Sequence, residues 1–377
     1  MLTRITATVG LAGGIIGATL GGLQIYQKAR ETRETHEKVG MYLSTGDQFA
    51  AALEYDQAVK QYEKAVEVDK QNIEARLRIV TTMRDKLLWS SSSQGDEEVD
   101  AALTWLYQLR ALNPKLKDDV RLLVDEALIL KAAKSDQKAI RVLERARQLS
   151  PENPAVLAEL GCLYMDCPYN ISGGAQQLKQ QIGKLELIRH ALKSQPNNAL
   201  YHYYLARSLN NVEQYTEALR EYTQAAKLAN DQDVASVWVR RDALEYLWYI
   251  FSERLNVEGE GVLTSRIDMP LEERASILEY LLANAPSPNP SGTYKPLEVA
   301  PDPYVKLFFI YRRLGKLDQA ARILKTVLGD DKKQWCEDEK GGPFAVRLQA
   351  YAIVLEESGS DPKTLADVRT ILRKGCH

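Results

Sequence analysis

Little in this chain can do chemistry on its own. Its 377 residues include only four histidines (His36, His190, His202, His377) and four cysteines (Cys162, Cys167, Cys336, Cys376). Cysteines so few and so scattered exclude a disulfide framework and suit a reducing compartment. Cys162 and Cys167 have neither the Cys-x-x-Cys spacing of a redox pair nor the usual zinc spacing, and no second pair completes a tetrahedral set. Cys376 is next to last, so the terminal prenylation box is not matched. No phosphate-cradling glycine loop, His-Glu-x-x-His or Gly-x-Ser-x-Gly occurs. We therefore expect no catalytic residue, no metal and no cofactor, and read the chain as a non-enzyme. Net charge is missing too. Forty-nine basic residues against 51 acidic ones leave −2, and no global field argues for nucleic acid.

Charge is absent altogether from Ile5 to Tyr26, a run of mostly Ala, Gly, Ile, Leu, Val and Thr. A helix of that length spans roughly 30 Å, the thickness of a bilayer's hydrocarbon core. The run is longer than a signal-peptide core and no Ala-x-Ala site follows it, so we read residues 1–26 as an uncleaved anchor. Gly13, Gly17 and Gly21 fall four apart, as do Gly10 and Gly14. That spacing makes a smooth strip on which a second membrane helix, from this chain or another, can pack. Arg4 precedes the run, and Lys28, Arg30, Arg33 and Lys38 follow it. The positive-inside rule then puts the C-terminal body on the cytoplasmic side. The lack of an Arg/Ser-rich amphipathic leader points to a bacterial inner membrane.

Past a polar helical linker (27–38), the composition is that of a folded body, 45% apolar and 27% charged. Phenylalanine is scarce (5) and tyrosine plentiful (19), and the tyrosines recur in a pattern. It is clearest from Leu200 to Leu228: Leu205 and Ala206 precede Leu209, Tyr215 precedes Ala218, and Tyr222 and Ala225 follow at helical spacing. That unit spans 199–232, and comparable ones lie at 39–72 (Tyr42, Gly46, Phe49, Tyr55, Ala58, Tyr62, Ala65), 73–116, 120–153 (Leu123, Ala127, Leu130, Ala139, Leu143, Ala146) and 154–198. An irregular helix then runs to about residue 256. A shorter helix near Leu271 to Asn284 and a Pro-rich joint occupy 257–300. A last unit from Pro301 and capping helices fill 301–377. The insertion at 90–98 is polar, of low complexity and not expected to pack, and that at 165–183 is either a functional loop or a tolerated insertion.

This pattern resembles the tetratricopeptide (TPR) repeat, a helix–turn–helix unit with small residues where two helices cross and large ones between them. One such unit cannot bury its own apolar face and must stack on its neighbours. The resemblance implies an all-α fold: a right-handed superhelical TPR-type α-solenoid, here preceded by a single transmembrane helix. It also implies that the first helix of each repeat lines a concave groove through its second, fifth, ninth, twelfth and thirteenth positions. Those positions hold Tyr203, Arg207, Asn210 and Asn211 in one repeat, and Val305, Phe309, Arg312 and Arg313 in another. Arg121, Val124, Leu128 and Lys131 occupy them in a third, and Ala155, Ala158, Cys162 and Met165 in a fourth. Aromatic and aliphatic surface beside Arg and Asn suits an extended peptide or amphipathic helix of a partner protein. His202, on the same first helix as Tyr203, reads as groove-lining or packing. The expected function is a membrane-anchored scaffold or adaptor that assembles a complex. The alternative is a regulator that delivers a membrane protein or enzyme to a protease or chaperone. In layout the chain resembles bacterial envelope-biogenesis regulators of lipopolysaccharide synthesis. Those end in a knuckle of two Cys-x-x-Cys pairs, and here only Cys336 and Cys376 stand near the C-terminus, so that function is not transferred.

Overall fold

Among the described residues the same backbone turn is built four times. The amides of Leu53 and Glu54 donate to the carbonyls of Ala50 and Phe49, and those of Lys134 and Ser135 to Lys131 and Leu130. Glu213 and Gln214 donate to Asn210 and Leu209, and Gly315 and Lys316 to Arg312 and Tyr311. The first residue of each pair has a positive φ: 65° at Leu53, 54° at Lys134, 62° at Glu213 and 70° at Gly315. This pair of hydrogen bonds satisfies carbonyls that a helix end would otherwise orphan. Each turn falls at the fifteenth residue of its predicted repeat, between first and second helix. Of the four residues, only Gly315 adopts this backbone without crowding its own Cβ. At Leu53, whose side chain is 50% exposed, relief of about 1–2 kcal/mol of strain outweighs the roughly 0.5–1 kcal/mol entropic cost of glycine. Leu53→Gly is therefore expected to raise stability by about 0.5–1 kcal/mol. Urea unfolding checks this, and a loss would mean that the exposed leucine contributes more by contact than its backbone costs.

The structure is a computed structural model, which describes residues 28, 30–89, 96–164, 175–229, 234–251, 255–258, 262–265, 267–284, 303–328, 343–359 and 361–374. Helices alternate as first and second members of pairs: α1 (30–51) with α2 (Tyr55–Val68), and α3 (Ile73–Trp89) with α4 (Asp96–Leu112). After a 3-10 turn (Pro114–Asp118) come α5 (Val120–Ala132) with α6 (Asp136–Leu149), and α7 (Pro154–Tyr164) with α8 (Ala175–Ser194). Then follow α9 (Ala199–Asn211) with α10 (Tyr215–Leu228), and α11 (Val234–Tyr249) with α12 (Leu271–Asn284). The last pairs are α13 (Pro303–Arg313) with α14 (Leu317–Leu328), and α15 (Pro343–Ser358) with α16 (Pro362–Lys374). The chain divides into two compact units, one ending at Val156 and one beginning at Leu157.

Side-chain size decides how the two helices of a pair approach. Ala58 and Ala65, Ala139 and Ala146, and Ala218 and Ala225 line second helices and are fully buried. On the first helices, a methyl group at Gly46 would lie 2.3 Å from the ring of Tyr62, and one at Gly161 would lie 2.4 Å from Ile188. Those glycines are needed for close approach, because a fully buried ring or branched chain cannot yield that much. Asparagines start the next first helix. Asn72 accepts from Ala75 N (2.8 Å), Asn153 from Ala155 N (3.1 Å) and Asn198 from Tyr201 N (3.2 Å). In the first unit α3 packs on α2, α4 and α5, and α5 on α4 and α6. In the second, α9 to α16 pack each on the next, around one core centred on Tyr222, Phe251 and Phe308.

Two expectations change. The stretch from Asp233 to Ala300 is not simply irregular. Its α11 packs on α9 and α10 as a first helix does, and α12 packs on α11 and α13 as a second helix does. The pair is disguised by an insertion containing a two-stranded antiparallel hairpin, β1 (Leu255–Glu258) and β2 (Val262–Ser265), in register from Leu255↔Ser265 to Glu258↔Val262. Among the described residues the otherwise all-α chain thus carries one small hairpin as an insertion. β-branched Val and Thr flank Gly259 and Gly261, a composition that favours a hairpin over a helix. Second, α8 begins at Ala175, so much of the supposed 165–183 insertion is helix. The expected anchor of residues 1–26, with Gly10, Gly13, Gly14, Gly17 and Gly21, lies outside the described residues, as do Met165, residues 90–95 and the Pro-rich joint. Among the described residues no helix is long and apolar enough to cross a membrane.

Candidate partner-binding face

First helices touch the next first helix as well as their own partners: α3 meets α5, α9 meets α11 and α13 meets α15. They therefore share one face within each unit. At each of these contacts a polar tie crosses from helix to helix. Arg84 of α3 reaches Asp125 of α5. Tyr203 Oη of α9 donates to Asp242 Oδ2 of α11 at 2.8 Å. Arg312 Nε of α13 donates to both carboxylate oxygens of Glu357 on α15, at 2.9 and 2.8 Å. A further tie runs from Tyr204 Oη of α9 to Glu159 Oε1 of α7 at 2.7 Å.

In the first unit this face is open. A cleft of about 420 Å³ lies along α3 and α5, lined by Leu77, Thr81, Arg84, Arg121, Val124 and Asp125. Leu77, Thr81 and Arg84 are the fifth, ninth and twelfth residues of their repeat, and Arg121 and Val124 the second and fifth of theirs. Arg121 is exposed, 3.4 Å from Asp119, and Lys131 is half-buried. Arg84 is largely buried, which would weaken its charge, yet Asp125 and Asp85 more than compensate and hold its pKa above the ordinary value.

In α9 of the second unit two of the corresponding positions are filled by the protein itself. Tyr203 is 3% exposed and Arg207 7%. Arg207 Nη1 donates to Tyr203 Oη at 3.1 Å, and its guanidinium lies 4.3 Å from the centre of the Tyr246 ring. The ring of Tyr203 meets Trp238 edge-on at 5.1 Å. Burial raises the Tyr203 hydroxyl well above its usual value despite Arg207 beside it, and burial also raises Asp242. Asn210 and Asn211 are half-buried at the end of α9, and Asn210 Oδ1 is enclosed with no hydrogen-bond partner among the described residues. Phe309 and Arg312 are half-buried and Arg313 is exposed, whereas Val305, Ala158 and Cys162 lie in the core. Sequence reasoning missed the acidic partners Asp125, Asp242, Glu159 and Glu357. Within its own helix each of these carboxylates reads as an ordinary solvated charge, as Asp125 does between Arg121 and Glu126.

His202 sits beside this face in an all-acceptor environment. Its Nδ1 is 2.5 Å from Glu221 Oε2 and its Nε2 is 2.8 Å from the Pro196 carbonyl. A carboxylate and a carbonyl oxygen can only accept, so both bonds are made together only when both ring nitrogens carry protons, an arrangement that favours the imidazolium. Burial opposes that charge, but the bonds to Glu221 and Pro196 prevail and raise the pKa. A raised histidine pKa stabilises the fold fully below the unfolded value of about 6.5 and loses that contribution as pH climbs through the folded value. His202→Phe is therefore expected to lose about 1–2 kcal/mol near pH 6, and the gap from the unsubstituted protein should close towards alkaline pH. Denaturant midpoints across that range check it; a pH-independent gap would make His202 a packing residue only.

Among the described residues no cluster of three His, Cys, Asp or Glu side chains is placed to hold a metal ion. What the geometry defines is a protein of helical-hairpin repeats with TPR-type packing, bearing an open face in its first unit. No family model matches the chain, and no curated protein matches it. Among solved structures, it is similar to TTC0263, a thermophilic TPR protein of Thermus thermophilus, at 18% identity over 55% of this chain and 98% of that one, with a TM-score of 0.41. A MamA structure from Desulfovibrio magneticus RS-1 aligns at 16% identity over 52% of this chain and 97% of that one, with a TM-score of 0.36. Another MamA crystal structure aligns at 16% over 51% and 92%, with a TM-score of 0.34. The fold assignment rests on the chain's own turns and helix pairs.

Proposed function

We propose that this protein is a non-catalytic scaffold that binds partner proteins through the first-helix face and holds them at a membrane. The observation that carries this reading is the open cleft on α3 and α5. It offers aliphatic floor (Leu77, Val124) beside charge (Arg84, Arg121, Asp125), a combination that seats an extended or helical segment and fixes its polar groups. The ends of first helices in the second unit extend the reading to Asn210, Asn211, Phe309 and Arg313. Tyr203, Arg207 and Arg312 would act as braces that hold this face in shape. In this reading residues 5–26 anchor the chain in a bacterial inner membrane with the repeats on the cytoplasmic side. The glycines Gly10 to Gly21 would pack on a second membrane helix.

The test is a mild-detergent co-purification read by mass spectrometry. It compares the full-length protein, a version starting at Gln27, and full-length Thr81→Arg/Val124→Glu. Partners retained by the first two and lost from the third support recognition by the cleft. Partners lost only on removal of Met1 to Tyr26 would move recognition into the membrane and sink the groove assignment. Turnover by the purified protein would overturn the non-catalytic reading.

A further inference from the structure

The first unit has a second cleft, of about 730 Å³, on the other side of α5. Leu123, Glu126 and Leu130 face it, roughly half a helical turn away from Val124 and Asp125. Its walls are the second helices α4 and α6. Leu103 and Tyr107 of α4, Leu123 and Leu130 of α5, and Val142 of α6 make an apolar floor. Tyr107 lines this cleft and is 51% exposed, so its ring adds to the apolar area that a partner can cover.

The rim is mostly basic. Arg110, Lys117, Lys138, Arg141 and Arg145 surround the cleft, and Glu126 is the one carboxylate among its lining residues. That carboxylate is already held by Arg110 at 2.6 Å, and Arg145 is paired with Asp118. Lys117, Lys138 and Arg141 have no ion-pair partner among the described residues. In a chain with net charge −2, this local excess is not a consequence of overall composition. Its layout also selects the occupant. Lys138, Arg141 and Arg145 stand three and four residues apart on α6, a stripe about 10 Å long. A lipid headgroup is best held by cations gathered at one point. A stripe matches carboxylates repeated along a helix.

We propose that this cleft is a second docking site, on the face opposite the first-helix groove, for an acidic amphipathic helix of a partner protein. The partner's apolar face would cover Tyr107 and Val142 while its flanking carboxylates meet Lys138, Arg141 and Lys117. A chain with both sites bridges two partners through one unit.

The probe is a fluorescein-labelled helical peptide with Leu and Phe on one face and Glu at i, i+3 and i+7 along the flank, titrated into the full-length protein in detergent and followed by anisotropy. A scrambled peptide of the same composition and phosphatidylglycerol vesicles are run beside it. Lys138→Glu/Arg141→Glu is expected to weaken binding at least about tenfold, and Tyr107→Ala by about three- to tenfold. Both changes are at exposed positions, and circular dichroism confirms the fold. Arg121→Glu, on the opposite face, should leave binding unchanged. The proposal is overturned if the charge reversal has no effect, if the scrambled peptide binds equally well, if Arg121→Glu weakens binding as much, or if the vesicles displace the peptide through the same residues.

Discussion

Tyr222→Ala is expected to destabilise the second unit by about 3–5 kcal/mol. The ring is fully buried, stacked on Tyr246 with centres 5.2 Å apart and planes 2° from parallel, and edge-on to Tyr203 at 6.1 Å. Truncation removes transfer energy and both aromatic contacts at once, and leaves a cavity that its neighbours cannot close. Tyr203 is held by Asp242 and Arg207, and Tyr246 lies under the Arg207 guanidinium, so collapse would have to break a buried polar network. Domains of this size carry about 5–15 kcal/mol of stability, so the loss is a large fraction of the total. Tyr222→Phe keeps the ring and is expected to stay within about 1 kcal/mol of the unsubstituted protein. Hydrogen exchange of the α9–α11 amides, set against those of α3–α5, measures the effect unit by unit. Equal acceleration in both units, or a loss below about 1 kcal/mol, would contradict a core organised around this ring.

The repeats were legible because their signal is local. Small residues at helix crossings (Ala58, Ala139, Ala218) and a large one deep in the pair (Tyr62, Tyr222) recur at fixed places, and each place has the same job in the structure. The pair α11 and α12 was not legible, because its insertion breaks the spacing by which repeats are recognised, although the helix near Leu271 to Asn284 was itself readable. The face was partly legible. Sequence position says which side of a first helix points away from its second helix. It does not say how far the next first helix lies from it. That distance decides whether Arg121 remains exposed, as it does, or Tyr203 and Arg207 become buried ties, as they do. For the same reason the carboxylates Asp125, Asp242 and Glu357 carried no signal within their own helices. Their partners come from a neighbouring repeat, and the register between repeats is tertiary information.

Arg84→Ala tests that register where it matters most for binding. The guanidinium contacts Asp125 on the next first helix and Asp85 on its own, with side-chain exposures of 21% for Arg84, 10% for Asp125 and 32% for Asp85. Removing it leaves the almost fully enclosed Asp125 without its cross-helix cation and is expected to cost about 3–5 kcal/mol. Asp125→Ala should cost less, because Asp85 remains to neutralise Arg84, whose charge is partly reached by water. Arg84→Met/Asp125→Leu removes both members of the cross-helix pair and replaces them with apolar contact, and should return to within about 1 kcal/mol of the starting stability. A double-mutant cycle of Arg84→Met, Asp125→Leu and the variant carrying both separates the tie from the burial of its members. If the two single losses simply add in the double variant, the tie carries no coupling, and α3 and α5 are held together by Leu77, Val80 and Leu122 instead. If the double variant is stable but no longer retains partners captured by the unsubstituted protein, the charges belong to recognition. If it keeps both stability and partners, Arg84 and Asp125 only set the distance between two first helices, and the cleft recognises its partner through Leu77, Thr81, Val124 and Arg121.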